Sequence, residues 1–117
     1  MTLSVILPAK NEAEGLRRTL PALRAQLPNA EIIVVDNGSV DESVEFMRIE
    51  YTEVKIVPLP VNVGFAAGMN AGIRVAEGTY IAALNNDTEA DPQWLARMVD
   101  VINRQTEFSI FACKIMD

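Results

Sequence analysis

Two carboxylates carry the strongest chemical signal in this sequence. Asp36 closes the apolar run Ile32-Ile-Val-Val35, and Asp87 follows Tyr80-Ile-Ala-Ala-Leu84 and two asparagines, Asn85 and Asn86. A carboxylate at the end of an apolar strand can accept hydrogen bonds from a ribose hydroxyl or a base N–H. It can also be a turn residue that caps the next helix. Ser39 already offers that cap, so the reading of Asp36 leans to ligand binding. Asp87, with amide oxygens beside it, suits a cation such as magnesium that keeps several waters and bridges diphosphate oxygens. An Asx-type turn ahead of Asp91-Pro92 accounts for it equally well, and spacing alone leaves the two even.

The other polar groups are weaker signals. Glu12 is either a first-turn helix acid or a ligand contact, with a slight lean to contact, and Lys10 beside it reads as solvated. Asp41 lies where the first turn of a helix favours negative charge, so structure is the better account. Gly64, Gly68 and Gly72 fall four apart. On a helix they form one face that can approach a sheet closely. Gly64 and Gly68 could also admit a ligand at the helix N-terminus. This is not the dinucleotide fingerprint, whose glycines are spaced differently and follow the first strand.

Composition removes whole classes of chemistry. The chain has no histidine, which excludes Ser-His and Cys-His nucleophile pairs and every His-ligated metal. A metal would need oxygen ligands, as magnesium or manganese accept. Cys113 is the one cysteine, so no intrachain disulfide can form; at the end of Phe108 to Ala112 it reads as a small buried hydrophobe. Sixteen acidic against ten basic residues give a net charge of −6. Without a basic cluster, nucleic-acid binding is disfavoured. A phosphate ligand would rely on backbone amides, a helix N-terminus or a cation. The N-terminus has no signal-peptide pattern and no apolar run approaches membrane-spanning length. The expected location is the cytoplasm, with peripheral contact at the inner face of the membrane left open.

The elements that must position these residues alternate along the chain. Strands are expected over Leu3–Pro8, Ile32–Val35, Val54–Val57, Tyr80–Leu84 and Phe108–Cys113. Their apolar runs are continuous, as in strands covered on both faces. In helix one, Leu16, Leu20, Leu23 and Leu27 share a face; Asn11 is a candidate cap. Pro21 predicts a kink or two short helices, the second capped by Thr19. Ser39-Val-Asp-Glu42 has capping-box spacing and opens helix two, with Val40, Val44 and Met47 inward. Helix three runs from about Phe65 to Ala76, with Gly78 as C-cap. Asp91-Pro92 opens helix four, with Trp94, Leu95, Met98, Val99 and Ile102 inward. Arg17, Arg18 and Arg24 fall on the polar side of helix one.

Alternating strands and helices predict an α/β fold: three layers, a mainly parallel open sheet with helices on both faces, Rossmann-like. The chain stops directly after its fifth expected strand, which looks like a truncated domain. In such sheets ligands sit outside the carboxyl ends of the strands. Four polar clusters follow the strands: Ala9 to Glu12, Asp36 to Ser39, Pro58 to Gly64 and Asn85 to Thr88. Their convergence on one edge outweighs any single motif.

Four stretches then match a family, in its order and at its spacing: Ser4 to Glu12, Ile32 to Ser43, Asn62 to Gly72 and Gly78 to Asp87. The sequence resembles the N-terminal, donor-binding half of the family-2 inverting glycosyltransferases with the GT-A fold. The resemblance implies a nucleoside-diphosphate sugar as donor. It implies that Pro8, Ala9 and Glu12 line the nucleoside pocket, that Asp36 hydrogen-bonds the base, and that Gly68, Asn85 and Asn86 adjoin the nucleotide sugar. Asp87 would be the last acid of the D-x-D motif and would help bind magnesium or manganese. Here that motif begins with Asn85, an amide, which weakens the metal site. Many relatives carry a basic residue where this chain has Met69, which implies one phosphate contact fewer. Both departures resemble the branch that includes rhamnosyltransferases, which suggests a thymidine-diphosphate donor, with a uridine-diphosphate donor left open.

The resemblance further implies transfer to a saccharide or lipid-linked acceptor in cell-surface polysaccharide synthesis. It places the general base beyond Asp117, so no catalytic residue is expected in this chain, and residues 1–117 alone are expected to be inactive or nearly so. An uncovered sheet edge and apolar surface open the way to self-association as a homo-oligomer. Two competing readings remain. A non-catalytic interaction module would keep the sheet and lose the chemistry. A dinucleotide-dependent oxidoreductase is disfavoured by the missing fingerprint after strand one.

Overall fold

The computed structural model describes residues 2–11, 13–26, 29–40, 43–85, 93–105 and 107. The elements run β1 (Leu3–Ala9), α1 (Ala13–Gln26), β2 (Glu31–Asn37), α2 (Ser43–Glu50), β3 (Lys55–Leu59), α3 (Phe65–Val75), β4 (Tyr80–Ala83) and α4 (Trp94–Arg104). The expected strand at Phe108–Cys113, Leu27 and the Asp91-Pro92 cap lie outside the described residues. No helix among the described residues is long and apolar enough to cross a membrane.

The strands form one parallel sheet in the order β3-β2-β1-β4. The chain steps outward from β1 to β3 with α1 and α2 on one face. It then returns on the opposite face through α3 to lay β4 against the free side of β1. That reversal is the switch point of a doubly wound sheet, and it lies between β1 and β4.

Strand periodicity sorts the side chains into two cores. Val5, Leu7, Ile32 and Val34 pack with Leu16, Leu20 and Leu23 of α1, Phe46 and Met47 of α2, and Leu95 of α4. Ile6, Ile33 and Val35 face α3 and pack with Met69. The three α1 leucines are each 1% exposed or less. Burial of this completeness contributes roughly 1.5–3 kcal/mol per side chain, enough to seat α1 firmly on the sheet. The expected three-layer α/β architecture is what is found.

Several local expectations are corrected. Helix one is a single element from Ala13 to Gln26 that contains Pro21. The proline lies on the exposed side, and the buried leucines on either side of it hold one helix together. Val40 is 90% exposed, so it does not belong to the core face of α2; Phe46 takes a place beside Met47 instead. Val40 lies in the loop that follows β2, ahead of α2 (Ser43–Glu50). Gly78 does not cap α3, whose C-cap is Ala76 in an extended conformation. Gly78 is needed where the chain crosses β1: an added Cβ would lie 2.5 Å from Ser4 Oγ and 2.6 Å from its backbone nitrogen. Gly72 fits the expectation of close packing, since a Cβ there would meet Ile6 Cγ2 at 2.8 Å.

Charged groups fasten the layers. The Arg17 guanidinium lies 4.5 Å above the Phe46 ring and that of Arg24 lies 4.9 Å above the Tyr51 ring, so two arginines of the polar side latch α2 and its exit to α1. At the amino ends of the strands, Glu31 accepts hydrogen bonds from Ser4 Oγ (2.7 Å), the Glu77 N–H (2.9 Å) and Lys55 Nζ (2.9 Å). Burial works against the Glu31 charge, yet these bonds outweigh it and hold its carboxyl below the ordinary glutamate range. The Glu31 hydrogen bond raises the Lys55 ammonium in turn.

Candidate functional site

The carboxyl ends of β2, β1 and β4 meet at the switch point. Parallel registration places Pro8 beside Val35 and Ala9 beside Asp36. On the other flank β1 pairs with β4 as far as Ile6 beside Ala83, and the Leu84 N–H donates to Ile6 O at 3.0 Å. Asn85, exposed, follows at once. Pro8, Ala9, Asp36 and Asn85 are thus brought to one edge, as expected. Glu12, Asn86 and Asp87 lie outside the described residues.

Strand β2 is longer than its apolar run suggested, and both Asp36 and Asn37 lie within it. The reason is pairing on both sides: Asp36 is registered with Ala9 and Pro58, and Asn37 with Leu59. Pro58 is tolerated because β3 is an edge strand of the described sheet. Asp36 is 4% exposed and Asn37 6%. Asp36 Oδ1 accepts the Ser39 N–H at 3.2 Å, so the turn-forming role is real. One oxygen serves the turn, and among the described residues no hydrogen bond to Oδ2 is found.

The loops around Asp36 are stitched by side chains. The Asn11 N–H donates to Ser39 Oγ, and Asn11 Oδ1 accepts the Val40 N–H, both at 2.8 Å. Asn11 reaches this pairing with a φ of 53°, a conformation asparagine tolerates better than most residues. On the other side Asn37 Oδ1 accepts the Val63 N–H (2.9 Å), while its Nδ2 donates to Gly64 O (3.0 Å). Gly38, at φ 81°, lets the 61–62 backbone pass so close that a Cβ would lie 2.6 Å from Asn62 N. What faces Gly68 is Asn37, whose Nδ2 would be 3.1 Å from an added Cβ. Met69 is 8% exposed and packs into the α3-side core.

Asn11 and Asn37 belong to the polar clusters that follow β1 and close β2, but their spacing carries no sign of these partners. Asn37-Gly38 is a turn signal in its own right, but its contacts lie 26 and 27 residues away, beyond any local pattern.

The oxygen-only chemistry of this edge suits magnesium or manganese. Among the described residues no group of three acidic or cysteine side chains comes together.

In a doubly wound parallel sheet, the edge that holds the buried carboxylate of Asp36 is where α/β domains place their ligands. The model of the family described as glycosyl transferase family 2 matches residues 4–115, and the chain belongs to that family. It is 36% identical over 107 residues to glycosyltransferase AglE of Haloferax volcanii, covering 86% of this chain and 35% of that protein. Residues 1–349 of S. aureus TarS, solved with UDP-GlcNAc, align with a TM-score of 0.80 at 23% identity. That match covers 91% of this chain and 32% of the other. The mannosyltransferase PcManGT from Pyrobaculum calidifontis, solved with GDP-Man and Mn2+, aligns at 0.72 with 23% identity, over 86% and 32% of the two chains. The fold is that of the GT-A glycosyltransferases, and the chain spans about a third of the length of these proteins.

Proposed function

We propose that residues 1–117 bind the nucleoside-diphosphate sugar donor of a glycosyltransferase that transfers the sugar, with inversion, to a saccharide or lipid-linked acceptor. The observation that carries this reading is Asp36, buried at the end of β2 beside the switch point and fixed by the Ser39 N–H. Its free oxygen can accept an N–H from a uracil or thymine ring. Pro8 and Ala9, one strand over, would form the floor of the nucleoside pocket. Glu12, Gly68, Asn85 and Asn86 would border the donor. The relatives solved with UDP-GlcNAc and GDP-Man support a nucleotide-sugar ligand.

Asp87, with Asn85 and Asn86 before it, would hold a divalent cation, for which the neighbour solved with Mn2+ is a precedent. Such a cation, when bound, would neutralise the diphosphate as it leaves. In the transfer the acceptor hydroxyl attacks the anomeric carbon from the face opposite the departing diphosphate, and a carboxylate takes its proton. We assign that base to sequence beyond Asp117. The reaction would take place in the cytoplasm, at the inner membrane face for a lipid-linked acceptor.

The test is calorimetry with uridine and thymidine diphosphates in magnesium or manganese. Asp36→Ala should weaken binding by roughly 10- to 100-fold, the worth of a hydrogen bond to a charged group. Asp36→Asn keeps the Ser39 bond and controls for loss of the turn; it should weaken binding as well. Absence of heat with every nucleotide, together with no effect of Asp36→Ala, would sink the proposal.

A further inference from the structure

We infer that Asn37 is a positioning residue for the nucleotide site: its side-chain amide locks the loop before α3 onto the strand end that carries Asp36. The inference rests on the donor-binding reading above and adds to it a residue that contacts no ligand.

Neighbouring residues of a strand point to opposite faces. Asp36 lies in line with Ile32 and Val34, toward α1 and α2. Asn37 lies in line with Ile33 and Val35, toward α3. The end of β2 is therefore held from both sides. On the first face, Asp36 and Ser39 tie it to the Asn11 loop. On the second, Asn37 is the fastener.

The fastening is specific to an amide. Val63 presents an N–H and Gly64 presents a carbonyl, so the clamp needs an acceptor and a donor on one short planar group. Asn37 is 6% exposed, so water competes poorly for either bond. Its surroundings are shaped to admit it. Gly64 turns at φ 88°, Gly38 lets the 61–62 backbone lie against the strand end, and Gly68 leaves room for Nδ2. Removing the amide would leave the Val63 N–H and the Gly64 carbonyl without their partners. The loop and the first turn of α3 would then drift from the strand end that carries Asp36, and that strand end would lose its fastening on the α3 face.

The experiment compares wild type, Asn37→Leu, Asn37→Ser, Asp36→Ala and the double variant Asp36→Ala/Asn37→Leu, with nucleoside diphosphate affinity measured well below each melting temperature. Hydrogen exchange at the Val63 amide reports the clamp directly. Leucine keeps the branched heavy-atom skeleton, at a larger volume, and removes both bonds; serine is too short to make both and guards against a leucine variant that does not fold. The expected result is an affinity loss on the order of tenfold, faster Val63 exchange, and a double variant much less impaired than the two single effects combined. Non-additivity is the signature of a residue that acts through the Asp36 site. A purely structural residue would lower the melting temperature and leave affinity unchanged. Folded variants that bind as wild type does, or a strictly additive double variant, would overturn the inference while the donor-binding reading stands. A wild-type chain that binds no nucleotide would overturn both.

Discussion

Replacing Glu31 by alanine is expected to lower stability by about 3 kcal/mol at neutral pH and to leave nucleotide affinity intact. The carboxylate accepts from Ser4 Oγ and from the Glu77 N–H at 2.7 and 2.9 Å. Hydrogen bonds to a charged group contribute roughly 1.5–3 kcal/mol each. The side chain is 22% exposed, so the low end applies to both. For a domain of this size the loss corresponds to a melting point lower by about 10 °C. The pH dependence follows from the lowered folded-state carboxyl. The unfolded chain takes up the proton near the ordinary glutamate value of about 4.3, before the folded one does. The Glu31 contribution is therefore fully present above that pH and is lost as pH falls through the folded value. Lys55 behaves in the opposite sense: its raised value makes its contribution full below the ordinary lysine range and lost as pH climbs past it. Urea unfolding from pH 3 to pH 8 reads the effect as the gap between wild type and Glu31→Ala. The gap should be constant above about pH 6 and should narrow toward pH 3. Glu31→Gln, which keeps an acceptor for Ser4 and Glu77, should fall between the two at neutral pH. A gap below about 0.5 kcal/mol at pH 7, or one that does not narrow in acid, refutes the reasoning.

Gly72→Ala gains about 1 kcal/mol of helix propensity but drives a methyl to 2.8 and 3.0 Å from branch methyls of Ile6 and Val35. Those stiff side chains make overpacking, at about 1–3 kcal/mol, the larger effect, and denaturant titration should show a net loss. Gly64→Ala, with open space around it and φ 88°, should cost only the backbone strain of about 1–3 kcal/mol. Gly38→Ala adds a clash with the 61–62 backbone, so melting should rank it below Gly64→Ala, and it alone should also weaken nucleotide binding. Chelation with EDTA should reduce diphosphate affinity by at least tenfold and spare the corresponding nucleoside; equal effects on both ligands would remove the proposed role of Asp87.

The parallel sheet was legible because Val, Ile and Leu runs recur between amphipathic segments; the order β3-β2-β1-β4 was not, since right-handed crossovers fix the face each helix takes and leave the strand order open. The convergence of Pro8, Ala9, Asp36 and Asn85 was legible for the same reason: residues that follow parallel strands share an edge. What escaped was set by tertiary contact. Val40 carries a helix-like spacing, yet the loop around Asn11 takes up its N–H and leaves its side chain in solvent. Gly78 looks like a helix stop, yet it is a crossing point fixed by Ser4, 74 residues away. Pro21 reads as a break, while the leucines around it are buried deeply enough to keep one helix. Asn37 differs from a turn asparagine only through Val63 and Gly64.

β1, an inner strand of the described sheet, is made before β2, β3 and β4. β1 pairs with β2 on one flank, but its other flank waits for β4, and Thr2 meets Thr79 across 77 residues of chain. During synthesis the β1-α1-β2 unit can close early, while the opposite flank of β1 stays unsatisfied until residues 80–83 emerge. That flank is a strand edge rich in Val, Ile and Leu, the kind of surface that pairs with neighbouring chains. Such distant pairing slows folding, so the vulnerable interval is set by the translation of some seventy residues rather than by the chemistry of the site. Yield on expression should therefore depend more on how quickly β4 arrives, and on synthesis at lowered temperature, than on substitutions around Asp36.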